Sequence, residues 1–166
     1  MAHKIYIGID NGTTGSIAWI SPKETRMIET PIWKEQSYTK AKNTITRIDH
    51  LRLMQVFEEV RGGESDIIAV IERPMINPMR FKASVSAARS LESTLCILEV
   101  LGIARMYVDS RDWQKKMLPK GCEGKELKTA SMDIGCRLFP SVEKVIKHHK
   151  DADSLLIAEW ARREGL

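Results

Sequence analysis

The chain has 166 residues, of which 43% are hydrophobic and 29% charged. A chain of this length buries about 70% of the surface its unfolded form exposes, so one self-supporting domain over 1–166 is expected, and the ordinary composition excludes disordered and fibrous classes. Lys and Arg number 26 against 22 Asp and Glu, giving a formal charge of +4 and a pI near 9.0, a balance that favours a polyanionic partner.

The first element, Ile5 to Asp10, is rich in β-branched and aromatic residues and closes on Asn11-Gly12, which predicts a strand and a tight turn. Gly15 to Ile20 reads as its hairpin partner. Ser21-Pro22 marks another turn, and Arg26 to Ile32 reads as a third strand before a polar stretch from Lys34 to Lys42. From Thr44 to Arg61 the apolar residues Ile45, Ile48, Leu51, Leu53, Met54, Phe57 and Val60 recur at helical spacing, with Gly62-Gly63 as the stop. Ile67 to Ile71 is a continuous apolar run of the kind found in strands covered on both faces, and Glu72-Arg73-Pro74 ends it.

Lys82 to Leu101, rich in alanine and serine, reads as a buried helix stopped at Gly102, and Ile103 to Val108 as a short strand. A short basic helix begins at Asp109 to Trp113, a glycine-containing loop spans Pro119 to Gly124, and helical spacing returns from Lys125 to Phe139. A last helix runs from about Asp151 to Arg163. No apolar run reaches the roughly 18 residues of a membrane span. MAHKIYIGID lacks the sections of a signal peptide, so a cytosolic or host-cytosolic setting is expected. Cys96, Cys122 and Cys136 form no CxxC pair and read as plain thiols.

Acidic residues stand at the ends of three of these elements. Asp10 closes the first strand, Glu72 closes the apolar strand, and Asp151 and Asp153 lie at the start of the last helix. If the two strands are neighbours, Asp10 and Glu72 project side by side. Mg²⁺ takes oxygen ligands and usually one or two carboxylates. Three or four converging acids can instead hold two ions roughly 4 Å apart, the arrangement that hydrolyses phosphodiesters without a covalent enzyme intermediate. Singly, each acid has a plainer reading: Asp10 as a turn residue, Asp151 or Asp153 as a helix cap. Glu72 is sharper, because a glutamate closing five apolar residues needs a partner.

The stretches IGIDNGTTGSIAWI, AVIERPM and KDADSLLIAEWARR resemble, in order and separation, the three acidic motifs of RuvC-type Holliday junction resolvases. SLESTLCILEVLGIARMYVDSRDWQKKML and GKELKTASMDIGCRLFP resemble the intervening segments, so the likeness spans nearly the whole chain, and phage and organelle members look closer than the main bacterial branch. The resemblance implies a ribonuclease H-like α/β fold, with three antiparallel strands then two parallel ones in a five-stranded mixed sheet flanked by helices. It also implies a Mg²⁺-dependent endonuclease, with Mn²⁺ substituting, that nicks four-way DNA junctions symmetrically as a homodimer. The helix from Lys82 to Leu101 is the expected interface.

Asp10, Glu72 and Asp153 match the family's metal-binding carboxylates. A fourth acid or histidine commonly precedes the last Asp by about one helical turn, which falls here on His149 or Lys150. Asp151 is preferred as the auxiliary ligand, provided the helix starts between it and Asp153, because two residues on an ideal helix lie about 200° apart. His149 is the alternative, as a ligand or as a group acting on the attacking water.

Arg73, Arg80, Lys82, Arg89, Arg111, Lys115, Lys116, Lys120, Lys125 and Lys128 are the candidates for a DNA-binding surface that acts on the phosphate backbone. Phe81, among them, reads first as a core residue and second as a side chain that stacks on or wedges into a base step. Three rivals stand beside this reading. One is a nuclease of the same fold acting on other branched DNA or on hybrids. Another is a non-catalytic DNA-binding or scaffold protein that kept the fold and lost the chemistry, against which the presence of all three core acids argues. The third is a kinase-type domain that grips ATP phosphates with GIDNGTTGS, although such enzymes use two domains and run far beyond this length.

Overall fold

The computed structural model describes residues 4–62 and 66–166. Period-two alternation along β1 (Ile5–Asp10) sets the layers: Ile5, Ile7 and Ile9 enter one apolar cluster, while Tyr6, Gly8 and Asp10 face the opposite side. β1 pairs antiparallel with β2 (Ser16–Ile20), which pairs antiparallel with β3 (Thr25–Glu29). On its other edge β1 runs parallel to β6 (Ile67–Glu72), and β6 parallel to β7 (Ala104–Val108). The result is the five-stranded mixed sheet in the order β3-β2-β1-β6-β7.

One face of the sheet is covered by α1 (His50–Arg61), through Leu53, Val56, Phe57 and Val60, and by α2 (Phe81–Val100), through Ile97 and Leu98. The other is covered by α3 (Ser110–Met117), α4 (Lys125–Leu138), α5 (Glu143–His149) and α6 (Asp153–Glu164). Leu155, Leu156, Ile157, Ala158 and Ala161 of α6 have no exposed surface, making this helix the centre of that layer. Gly8 allows it. A Cβ built there would lie 2.0 Å from the Ser154 carbonyl oxygen and 2.6 Å from the Ala158 nitrogen, so the backbone of α6 rests directly on β1.

Several boundaries differ from the sequence reading. The third strand ends at Glu29, and Ile32 instead opens β4 (Ile32–Gln36), which pairs with β5 (Thr44–Ile48) in a separate two-stranded ribbon. Pro31 explains the break, because proline has no N–H for the ladder. The helix expected from Thr44 starts only at His50, where Asp49 caps it by accepting from the Arg52 backbone at 3.0 Å. Ile45 and Ile48 fit a helical period, but the β-branched run TITRI favours a strand. Gly62 ends α1 in the left-handed region at φ 45°, while Gly63 lies outside the described residues.

The last helix begins at Asp153, and α5 before it, seven residues long, had no expectation. α2 is buried on one side alone, through Ser84, Ser90, Thr94, Ile97 and Leu98, rather than throughout. Phe81, expected first in the core, is 72% exposed. The cysteines are free thiols. Among the described residues no helix is long and apolar enough to cross a membrane.

Candidate metal centre

Ile9 of β1 is in register with Ile71 of β6, so Asp10 and Glu72 follow at the same level on adjacent parallel strands. In parallel pairing, side chains at one level point to one face. Here that is the face carrying α6, whose first residue is Asp153. The neighbouring turn brings Ser16 opposite Asp10, and the Ser16 hydroxyl donates to Ser154 Oγ at 2.7 Å, tying β2 to the start of α6.

A sharp corner brings the remaining groups in. α5 stops at His149, Lys150 takes φ 72°, and Asp151 and Ala152 precede α6 in extended or irregular backbone. Asp151 is therefore outside the helix. The residue is 3% exposed. His149 Nε2, a buried nitrogen without a hydrogen-bond partner, lies 3.5 Å from Asp151 Oδ1. Asp10, His149 and Asp151 each offer one ligand atom within 4.8 Å of the others. This ligand-distance group takes in both Asp151, the preferred auxiliary residue, and His149, its alternative, while Glu72 and Asp153 lie outside it.

Glu72, Asp153 and Asp151 each have a neighbour that orients them. Trp113, fully buried on α3, donates from Nε1 to Glu72 Oε1 at 3.1 Å. Ser131 Oγ on α4 donates to Asp153 Oδ1 at 2.5 Å and accepts from the Ala152 backbone at 3.1 Å. Gly135 sits one turn further along α4, where an added Cβ would lie 2.2 Å from that of Ala152, so the two segments are nearly touching. Lys128 Nζ reaches Asp151 Oδ2 at 3.2 Å. Trp113 and Ser131 were missed from the sequence: an indole in a basic helix and a serine in a polar one carry no local mark of what they touch.

Electrostatics tell the same story. Burial raises the Asp10 carboxyl well above the usual range, and repulsion from Asp153, Glu72 and Asp151 adds to it, opposed by Lys128. Burial, with repulsion from Asp151 and Glu72, lifts Asp153 to about 6 against the Ser131 hydrogen bond and Lys128, which lower it. For Lys128, burial opposes the charge but is outweighed by the hydrogen bond and attraction of Asp151, then by Asp153 and Asp10, so its pKa rises. The group is a dense, partly desolvated set of anions with one nearby ammonium. Hard oxygen donors, an orphaned imidazole nitrogen and uncompensated negative charge fit a divalent cation.

The other basic candidates are more dispersed. Arg73, next to Glu72, pairs with Asp109 at 2.9 Å and lies 5.2 Å over the Tyr107 ring. Lys116 pairs with Glu164 at 2.6 Å. Arg80, Phe81, Lys82, Arg111, Lys115, Lys120 and Lys125 are exposed, and Met75, Ile76 and Met79 add exposed apolar surface between Glu72 and α2.

No protein-family model matches this sequence, and no curated protein does. Solved structures superpose on nearly all of it. Thermus thermophilus RuvC in complex with Holliday junction substrate matches with a TM-score of 0.57 and 13% identity, over 98% of this chain and 97% of that one. The fold is that of RuvC. A second structure of Thermus thermophilus RuvC matches at TM-score 0.51 and 15% identity, over 97% of this chain and 96% of that one. The five-stranded mixed sheet with flanking helices is thus the ribonuclease H-like α/β architecture in its RuvC form, without the closer sequence likeness that carries residue roles across.

Proposed function

We propose that this chain is a divalent-cation-dependent endonuclease that cuts four-way DNA junctions. The supporting observation is the convergence of Asp10 and Glu72, from register-matched strand ends, with Asp151 and Asp153 at the start of the helix packed on the same face. Asp10, Glu72, Asp151 and Asp153 would hold Mg²⁺ or Mn²⁺, two ions together, with His149 beside them. Bound there, such ions supply an acidified water and neutralise charge at the leaving oxygen of a phosphodiester. Trp113 and Ser131 keep Glu72 and Asp153 from turning away, and His149 Nε2 can accept the proton of the attacking water.

Arg73, Arg80, Lys82, Arg111, Lys115, Lys116, Lys120, Lys125 and Lys128 would steady the DNA backbone, with Phe81 free to stack on an opened base. A junction with two-fold symmetry calls for a homodimer with two matched sites. Within resolvases of this fold, we place the chain with the phage and organelle members, whose acidic motifs its own resemble.

The test incubates the protein with labelled four-way junction, fork and duplex DNA, with and without Mg²⁺, beside Asp10→Asn and Glu72→Gln. Paired symmetric nicks in the junction that need the metal and vanish in both variants, while DNA binding persists, are the expected result. Equal cutting of all three DNAs would overturn junction selectivity, and undiminished cutting by either variant would remove the carboxylates from the chemistry.

A further inference from the structure

The β4–β5 ribbon is used by none of the steps above. It leaves the sheet beside the carboxylates: Asp10 pairs with Ser16 and Ser16 with Glu29, after which the Thr30 backbone donates to the Gly15 carbonyl at 3.1 Å. Its two legs are joined at the root, where the Asp49 N–H donates to the Pro31 carbonyl at 2.9 Å, and the Ser37 N–H donates to the Asn43 carbonyl at 2.7 Å near the tip. At about 3.3 Å per residue, five-residue strands carry the tip roughly 17 Å from that root.

Its charge is one-sided. Lys34, Lys40 and Lys42 are exposed and make no ion pair among the described residues, whereas the single acid, Glu35, is held by Arg47 at 2.5 Å. The Arg47 guanidinium also lies 6.0 Å from the Trp33 ring centroid, which stiffens the ribbon. Behind β5, a cleft against α2 is lined by Arg47, His50, Ser86, Arg89, Glu92 and Ser93, and the Arg89 Nε is buried there without a partner. Trp33 is 46% exposed and Tyr38, near the tip, 75%. Lysines alone would serve to blunt an open strand edge, but edge protection gives no reason to leave two large aromatics in water beside them.

We propose that the β4–β5 ribbon is a second DNA-contacting arm. It lies along the duplex flanking the cut, with Lys34, Lys40 and Lys42 on phosphates and Tyr38 against a sugar or base. A two-stranded ribbon fits the major groove, and a reach of roughly 17 Å covers about half of a helical turn. The inference rests on the DNA reading of the carboxylate site, and its test separates the two.

Binding to a labelled four-way junction is measured in EDTA from 50 to 200 mM salt for wild type, a triple Lys34→Gln, Lys40→Gln, Lys42→Gln variant, the matching triple Arg variant, and Tyr38→Ala. Thermal melts establish that each is folded. Three lost phosphate contacts should lower the slope of log K against log salt by about 2.7 in the Gln variant, with the Arg variant keeping the wild-type slope. Tyr38→Ala should weaken binding with little change of slope. An unchanged slope in the Gln variant, while wild type still binds and cuts junctions, overturns the arm and leaves the nuclease reading standing. A wild type with no affinity for any DNA overturns both.

Discussion

Replacing Gly8 with alanine probes the contact that brings Asp153 to Asp10. The added methyl carbon would lie 2.0 Å from the Ser154 carbonyl oxygen, 2.6 Å from the Ala158 nitrogen and 3.1 Å from the Ser154 carbonyl carbon. All three are backbone atoms, so no side chain can swing aside. An ordinary contact near 3.4 Å requires α6 to withdraw from β1 by more than about 1 Å. Overpacking of a tight interior costs roughly 1–3 kcal/mol. The upper end applies here, because α6 carries five apolar residues with no exposed surface and its retreat loosens them all.

At roughly 2–4 °C per kcal/mol for a chain of this size, the melting temperature should fall by about 6–12 °C. Cleavage should fall further than stability alone explains. Ser154 follows Asp153, and a 1 Å misplacement of a catalytic group costs on the order of 100-fold. Circular-dichroism melts and junction-cleavage rates, measured well below the lowered melting point, check both numbers. A variant melting within about 2 °C of wild type and cutting at the wild-type rate would refute the claim that close helix-on-strand approach builds the site.

Two other outcomes follow from the same geometry. Because the folded-state pKa of Asp153 lies above its unfolded value of 3.8, the native protein holds the extra proton between about pH 4 and pH 6. The associated stability, about 3 kcal/mol, is present below pH 4 and lost as pH rises through 6. Urea unfolding in EDTA should show this decline in wild type and a shallower one in Asp153→Asn, and identical pH profiles for the two would contradict it. Trp113→Phe should keep the fold but release Glu72, slowing cleavage by about 10–100-fold at unchanged junction affinity. A wild-type rate in that variant would show that the indole hydrogen bond does not position the carboxylate.

Much of the carboxylate site was legible because strands announce both their face and their end. IYIGID reads as a strand closed by a tight turn and IIAVI as a run covered on both faces, and each is closed by an acid, so parallel pairing was enough to align Asp10 with Glu72. The β4–β5 ribbon was not legible. Ile45 and Ile48 satisfy the helical period as well as the strand period, and the deciding contacts, with Ile32 to Gln36, are made across a turn. In the final region the family resemblance led to His149 and Asp151, and helical geometry kept Asp151 available only if the helix starts after it, as it does at Asp153. The turn at Lys150 that brings His149 alongside is one that no pattern of hydrophobicity reveals.

That corner has a consequence of its own. Among the described residues Lys150 is the one non-glycine with positive φ, a conformation that costs an L-residue roughly 1–2 kcal/mol. Glycine would relieve the strain, yet it would also let the elbow swivel. A lysine stays in a disfavoured backbone well only where the structure around it over-determines the bend, so the imidazole of His149 and the carboxylate of Asp151 meet across a stiff joint rather than a hinge. The chain has placed rigidity, at some expense of stability, where two donors from opposite sides of a bend must keep a fixed separation.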